Sequence, residues 1–78
     1  MSSTFVVAGV HVRVSETFRG MFGRTVKRAQ FMATRPDTGA LVAEHCKTER
    51  DAVRMAAMAI TNLPACELHR VAITEVGG

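Results

Sequence analysis

Residues 4–14, TFVVAGVHVRV, alternate along the chain. Val6, Ala8, Val10, Val12 and Val14 fall on one side of an extended backbone, and Phe5, Val7, Gly9, His11 and Arg13 on the other. A period of two in a stretch rich in β-branched residues predicts a strand with one buried side. The alternation stops at residues 15–23, SETFRGMFG, where Gly20 and Gly23 predict a loop or hairpin tip. Strand character returns over 24–35, RTVKRAQFMATR, with Ala29, Phe31 and Ala33 sharing a face with Lys27.

Pro36-Asp37-Thr38-Gly39 predicts a turn, because proline presets φ and glycine supplies a left-handed exit. Residues 40–46, ALVAEHC, form the returning strand. Pairing Arg35 with Ala40 sets Ala33 opposite Val42 and Ala29 opposite Cys46, but leaves Phe31 opposite Glu44. A bulge at Gly39 would flip that face, so the register stays open.

Thr48 predicts the N-cap of a helix, with Glu49 and Asp51 in a first turn suited to the macrodipole. At 100° per residue, Glu49, Ala52, Val53, Ala56, Ala57, Ile60 and Leu63 cluster on one side, and Asn62 and Pro64 mark the end. Residues 66–76, CELHRVAITEV, read as a closing strand with Val71 and Ile73 as its core pair. The order β-β-β-α-β predicts an α+β fold, an antiparallel sheet with one helix packed on one face. Residues 4–76 make one compact domain, and 1–3 and 77–78 are its flexible ends.

Composition narrows what such a domain does. The 78 residues are 47% hydrophobic and 22% charged, ordinary for a globular chain. A chain this short buries only about 60% of the surface it exposes when unfolded, which excludes a multidomain machine or a two-lobed cofactor fold. The net charge of +3 is unevenly spread. Residues 1–35 hold Arg13, Arg19, Arg24, Lys27, Arg28 and Arg35 against Glu16, a balance of +5, whereas residues 36–78 balance at −2. Such polarity steers toward a phosphate backbone or an acidic partner, or serves solubility alone. Two cysteines are too few for a secreted disulfide scaffold, and no targeting or membrane-spanning segment is visible, so a cytoplasmic setting with reduced thiols is expected.

His45, Cys46, Cys66 and His69 together spell a two-Cys, two-His metal set. Alternation on a strand splits His45 from Cys46, and likewise Cys66 from His69. The helix between the two cysteines, about 22 Å long, separates the pairs further and argues against an intramolecular disulfide. An exposed Cys66 retains the capacity to link two chains. His11, His45 and His69 each lack a nucleophile or carboxylate at a diagnostic spacing, and no phosphate-binding or dinucleotide loop is present. The reading is a non-enzymatic domain with no metal or cofactor.

Three features point to a partner instead. Phe18, Met21 and Phe22 interleave with Arg19 and Arg24, and Lys27 and Arg28 follow, a mixture of cations and rings that grips phosphates, bases or protein surfaces. The competing account folds both phenylalanines back over an undersized core. On the helix, Arg54, Met55 and Met58 project away from the core stripe, and exposed methionine is adaptable interface material. The face of the sheet away from the helix is expected to carry Phe5, Val7, Met32 and Leu41. That is too apolar to stay wet, which predicts a homodimer through this face.

In format the chain resembles the small phage-encoded anti-CRISPR proteins, in particular inhibitors of type I (Cascade-type) systems such as type I-C. The likeness lies in one short domain, a strand-rich first half, the KTERDAVRMAAMAI helix and a closing strand, and it carries over no functional residue by position. It implies binding to a protein subunit of the Cas surveillance complex in the cytoplasm of an infected bacterial host cell, and a block on target DNA recruitment. Inhibitors of this kind that mimic DNA are acidic. A basic first half instead implies an acidic protein patch or contact with nucleic acid in the complex. The alternative is direct DNA binding. A three-stranded sheet backed by a helix resembles the arm-type binding domains of phage integrases, with Arg13, Arg24, Arg28 and Gln30 as readers. The acids Glu44, Glu49, Asp51 and Glu67 weigh against it.

Overall fold

A computed structural model describes the backbone of residues 2–20 and 27–77 and the side chains of 2–17 and 30–77. The fold is α+β, as the pattern predicts: one antiparallel sheet with a single α-helix packed on it. Its strands are β1 (Ser2–Val7), β2 (Val10–Gly20), β3 (Lys27–Thr34), β4 (Leu41–Cys46) and β5 (Ile73–Gly77), in the spatial order β4-β3-β2-β1-β5. Helix α1 (Glu49–Thr61) follows β4, and a 3-10 helix over Ala65–Arg70 precedes β5. The sheet takes in Ser2, Ser3 and Gly77, which the pattern leaves to the flexible ends.

The opening alternation is two strands rather than one. Val7 pairs with Val10 across a two-residue turn in which Ala8 and Gly9 both adopt positive φ, 50° and 82°. Left-handed geometry at both central positions suits the right-handed twist of the flanking strands. An Ala-Gly pair is not among the usual signatures of such a turn, so the sequence hides it. The fold-back changes which residues share a face. Phe5 pairs with Val12 and Val7 with Val10, so Phe5, Val7, Val12 and Val14 all end up buried under the helix. Phe5 and Val7 therefore do not lie on the uncovered face, and a dimer through that face loses its main anchors.

What the uncovered face carries is mostly polar. Thr4 pairs with Arg13, Arg13 with Thr34, Ser15 with Met32 and Thr17 with Gln30. Met32 is half-buried there beside Ser15, and Val6 lies opposite His11. Leu41 pairs with Thr34 at the start of β4 and is exposed. Alternating Ser, Thr and Arg positions make this a face that water can cover, the ordinary arrangement for an antiparallel sheet with one packed side.

The turn at Pro36–Gly39 forms as the sequence predicts. The Arg35 amide donates to the Ala40 carbonyl at 2.8 Å, and the Gly39 amide to the Arg35 carbonyl at 2.7 Å. Beyond it the register departs from the simple pairing. Ala33 faces Ala43, and Phe31 faces Cys46, not Glu44. Ala43 and Cys46 are both buried although they stand three apart, which an unbroken strand forbids. β4 accommodates two extra residues, one between Leu41 and Ala43 and one around His45, whose φ is 58°, so the irregularities sit within β4 and not at Gly39.

α1 begins where expected. The Thr48 hydroxyl accepts the Asp51 amide at 3.1 Å, and Asn62 closes the helix in a left-handed conformation with its amide on the Met58 carbonyl. The predicted stripe is the packed one: Ala52, Val53, Ala56 and Ala57 are buried, with Ile60 packed alongside. The helix alanines share one core cluster with Ala33 and Ala43 of the sheet and with the fully buried valines Val7, Val12 and Val14. Burying each valine contributes on the order of 1.5–3 kcal/mol. The Ser3 hydroxyl donates to Glu49 at 3.2 Å and ties β1 to the start of the helix.

The last predicted strand divides. Residues 65–70 wind into the 3-10 helix, and Leu68, not Ile73, supplies the buried side chain there. Val71 packs partly against the core, and Ile73 on β5 is more than one-third exposed. Pro64 starts the 3-10 helix in an extended conformation, which fits its fixed φ and missing donor. Among the described residues no helix is long and apolar enough to cross a membrane.

Candidate functional site

The β2–β3 ladder outruns the sheet. β1 accompanies β2 only as far as Ser15, and β4 accompanies β3 only as far as Phe31. Past those points the pairs Thr17–Gln30, Phe18–Ala29, Arg19–Arg28 and Gly20–Lys27 have no third strand beside them among the described residues. At about 3.4 Å per residue they make a two-stranded ribbon roughly 10–14 Å long. The stretch read from the sequence as a loop is thus strand up to Gly20, and it sets Arg19 directly opposite Arg28. Like charges facing each other on a two-stranded ladder destabilise it, an arrangement that an anionic partner would relieve. Met21, Phe22 and Arg24 lie outside the described residues, as do the side chains of Phe18, Arg19, Lys27 and Arg28.

On the uncovered face, Arg13 is exposed at mid-sheet between Thr4 and Thr34. Gln30 stands at the root of the ribbon, and its Oε1 lies 3.1 Å from His45 Nδ1. The left-handed backbone at His45 turns that ring toward Gln30 while Cys46 turns inward. His45 Nε2 lies 3.7 Å from Glu44, both side chains being exposed.

The helix contributes a second surface. Arg54, Met55 and Met58 are all exposed, as the sequence predicts, with Met55 at 47% and Met58 at 36%. They border a shallow groove of about 320 Å³ between α1 and the end of β4, completed by His45, Lys47 and Asp51. At its floor the Cys46 sulfur lies 3.4 Å from the Met55 sulfur. Burial, reinforced by the Asp51 carboxylate, pushes the Cys46 thiol above its ordinary range. It therefore stays protonated near neutral pH and packs as a small apolar group, with little thiolate to act as a nucleophile. His45, Lys47 and Asp51 were missed at the sequence level. Asp51, Arg54, Met55 and Met58 repeat at helical spacing, and that repeat was the available signal.

The four residues considered for a metal stay apart in role. Cys46 is buried in the core, His45 bonds Gln30, and Cys66 is exposed on the 3-10 helix, where its carbonyl meets His69 Nδ1 at 3.2 Å. Among the described residues no group of three or more His, Cys, Asp and Glu comes together. Compared with protein-family models, curated proteins and solved structures, the chain matches none.

Proposed function

We propose that this chain is a non-enzymatic binding module that docks through the β2–β3 ribbon and the methionine groove. Following the format resemblance, the partner is a subunit of a type I CRISPR-Cas surveillance complex, and docking blocks recruitment of target DNA. The observation that carries the reading is the ribbon itself. It is a pair of strands that runs on past the ends of β1 and β4, with Arg19 and Arg28 paired across it. Exposed Met55 and Met58 beside Arg54 add a deformable apolar patch of the kind that repacks against a protein surface.

The test is retention on a purified type I complex, read together with target-DNA binding by that complex. The wild-type chain is expected to be retained and to prevent DNA binding. Arg19→Glu with Arg28→Glu, and separately Met55→Ala with Met58→Ala, should each abolish retention while the thermal transition stays in place. No retention of the wild-type chain on type I complexes rejects the anti-CRISPR assignment.

A second reading, direct binding to duplex DNA, is favoured by the polar uncovered face. The major groove admits a two-stranded ribbon, and Arg13 and Gln30 stand on the surface that would follow it in. Arg13, Arg19, Lys27 and Arg28 on four phosphates give a log–log salt slope of roughly −3.6. Tight binding to random duplex with that slope, and indifference to the Cas complex, selects this reading over the first.

A further inference from the structure

A larger cleft, of about 530 Å³, opens between α1, the 3-10 helix and β5. Its floor is apolar. Phe5, Val53 and Leu68 present the edge of the buried core, and Ile73, partly exposed, continues it outward along β5. Its rim is cationic. Arg50 and Arg54 stand one helical turn apart on α1, and neither forms an ion pair among the described residues. His69 lines the cleft from the 3-10 helix, and with Nδ1 held by the Cys66 carbonyl its remaining ring nitrogen is Nε2. Glu49 is the one carboxylate in the lining, and the Ser3 hydroxyl already donates to it.

This combination selects a ligand by chemistry. An apolar floor without polar side chains rejects a sugar or a nucleobase, whose donors and acceptors would go unpaired there. Two guanidiniums that form no ion pair among the described residues call for an anion, and their forked donors match a carboxylate. The volume lies within the range of about 300–1,000 Å³ usual for small-molecule sites. We propose that the cleft between α1, the 3-10 helix and β5 binds a small amphipathic carboxylate. Its hydrocarbon body lies over Phe5, Val53, Leu68 and Ile73, and its headgroup is held by Arg50 and Arg54. The site is separate from the ribbon. Arg54 alone is shared with the methionine groove.

The test is an NMR titration of the full chain with decanoate, octanoate and decanol, each kept below its aggregation threshold. Decanoate is expected to bind saturably, with amide shifts centred on Arg50, Arg54, Leu68–His69 and Ile73. Octanoate, two methylenes shorter, should bind roughly fifteen-fold more weakly, since each buried methylene is worth about four-fold in affinity. Decanol should be at least ten-fold weaker than decanoate, because it forgoes the charge-assisted hydrogen bonds. Arg50→Glu should abolish decanoate binding. Ile73→Glu, at an exposed edge position, should weaken decanoate at least ten-fold with the fold intact by circular dichroism. Should Arg50→Glu unfold the chain, Arg50→Ala serves the same purpose with a ten-fold loss. No saturable decanoate binding, equal affinity for decanol, or shifts centred on Met55 and Met58 overturns the proposal.

Discussion

Replacing Ala8 by Asn is expected to stabilise the protein, and replacing Gly9 by Ala to destabilise it. Both residues sit at positive φ, 50° and 82°, in the two-residue turn that folds β1 onto β2. An L-residue with a plain Cβ pays about 1 kcal/mol to be held there, whereas Asn tolerates the region and Gly enters it freely. Nothing else at the turn offsets that difference. Ala8 is exposed, and its contact to the rest of the chain described here is a backbone amide donated to the Ala72 carbonyl at 2.9 Å, which Asn retains. A Cβ at Gly9 meets no atom within 4 Å, so the cost of Gly9→Ala is conformational and not steric. Relief of most of 1 kcal/mol in a domain of this size raises Tm by roughly 4–8 °C, and Gly9→Ala lowers it by a comparable amount. Thermal unfolding followed by far-ultraviolet circular dichroism, with a urea titration to check that the m-value is unchanged, measures both. An Ala8→Asn protein that melts no higher than wild type, alongside a harmless Gly9→Ala, would refute the left-handed turn and with it the pairing of Phe5 with Val12.

Two other substitutions probe the core and the thiols. Ala56 is fully buried in the core cluster between helix and sheet, so Ala56→Leu overpacks it and should cost about 1–3 kcal/mol, visible as a lower urea midpoint. Cys66 should react with a thiol reagent in the native protein while Cys46 reacts only on unfolding, as mass spectrometry of labelled Cys46→Ala and Cys66→Ala chains will show. The Cys46 thiol is raised in the folded state, so its contribution to stability is complete below the ordinary thiol range and is lost as pH climbs through the raised value. An alkaline limb unchanged by Cys46→Ala would contradict that assignment.

The elements that could be read from the sequence are those whose local chemistry and packing agree. Thr48, the alanine-rich stripe and Asn62 each specify the same helix, and Pro36–Gly39 specifies its turn through proline and glycine alone. What escaped detection was every place where two strands or two segments share one pattern. The valines on both sides of Ala8–Gly9 alternate in phase with a single strand, so only tertiary pairing shows the fold-back that moves Phe5 and Val7 into the core. CELHRV has the composition of a strand, yet Leu68 reaches the core only if the segment coils. The exposure of Arg54, Met55 and Met58 followed directly from helical spacing. The groove they border did not, because His45 joins it through a bulge that no residue type announces.

The position of β5 governs how the sheet is completed and how it comes apart. Thr4 pairs with Gly77, so the first and last strands lie side by side at one edge. β1 meets β2 across a two-residue turn, whereas its other flank is closed by β5, a pairing of much greater sequence separation and higher loop-closure cost. A force applied at Ser2 and Gly77 would load the β1–β5 ladder from one end and open it bond by bond, like a seam and not a shear joint. The molecule should therefore yield to pulling at forces far below those its valine-packed interior could bear.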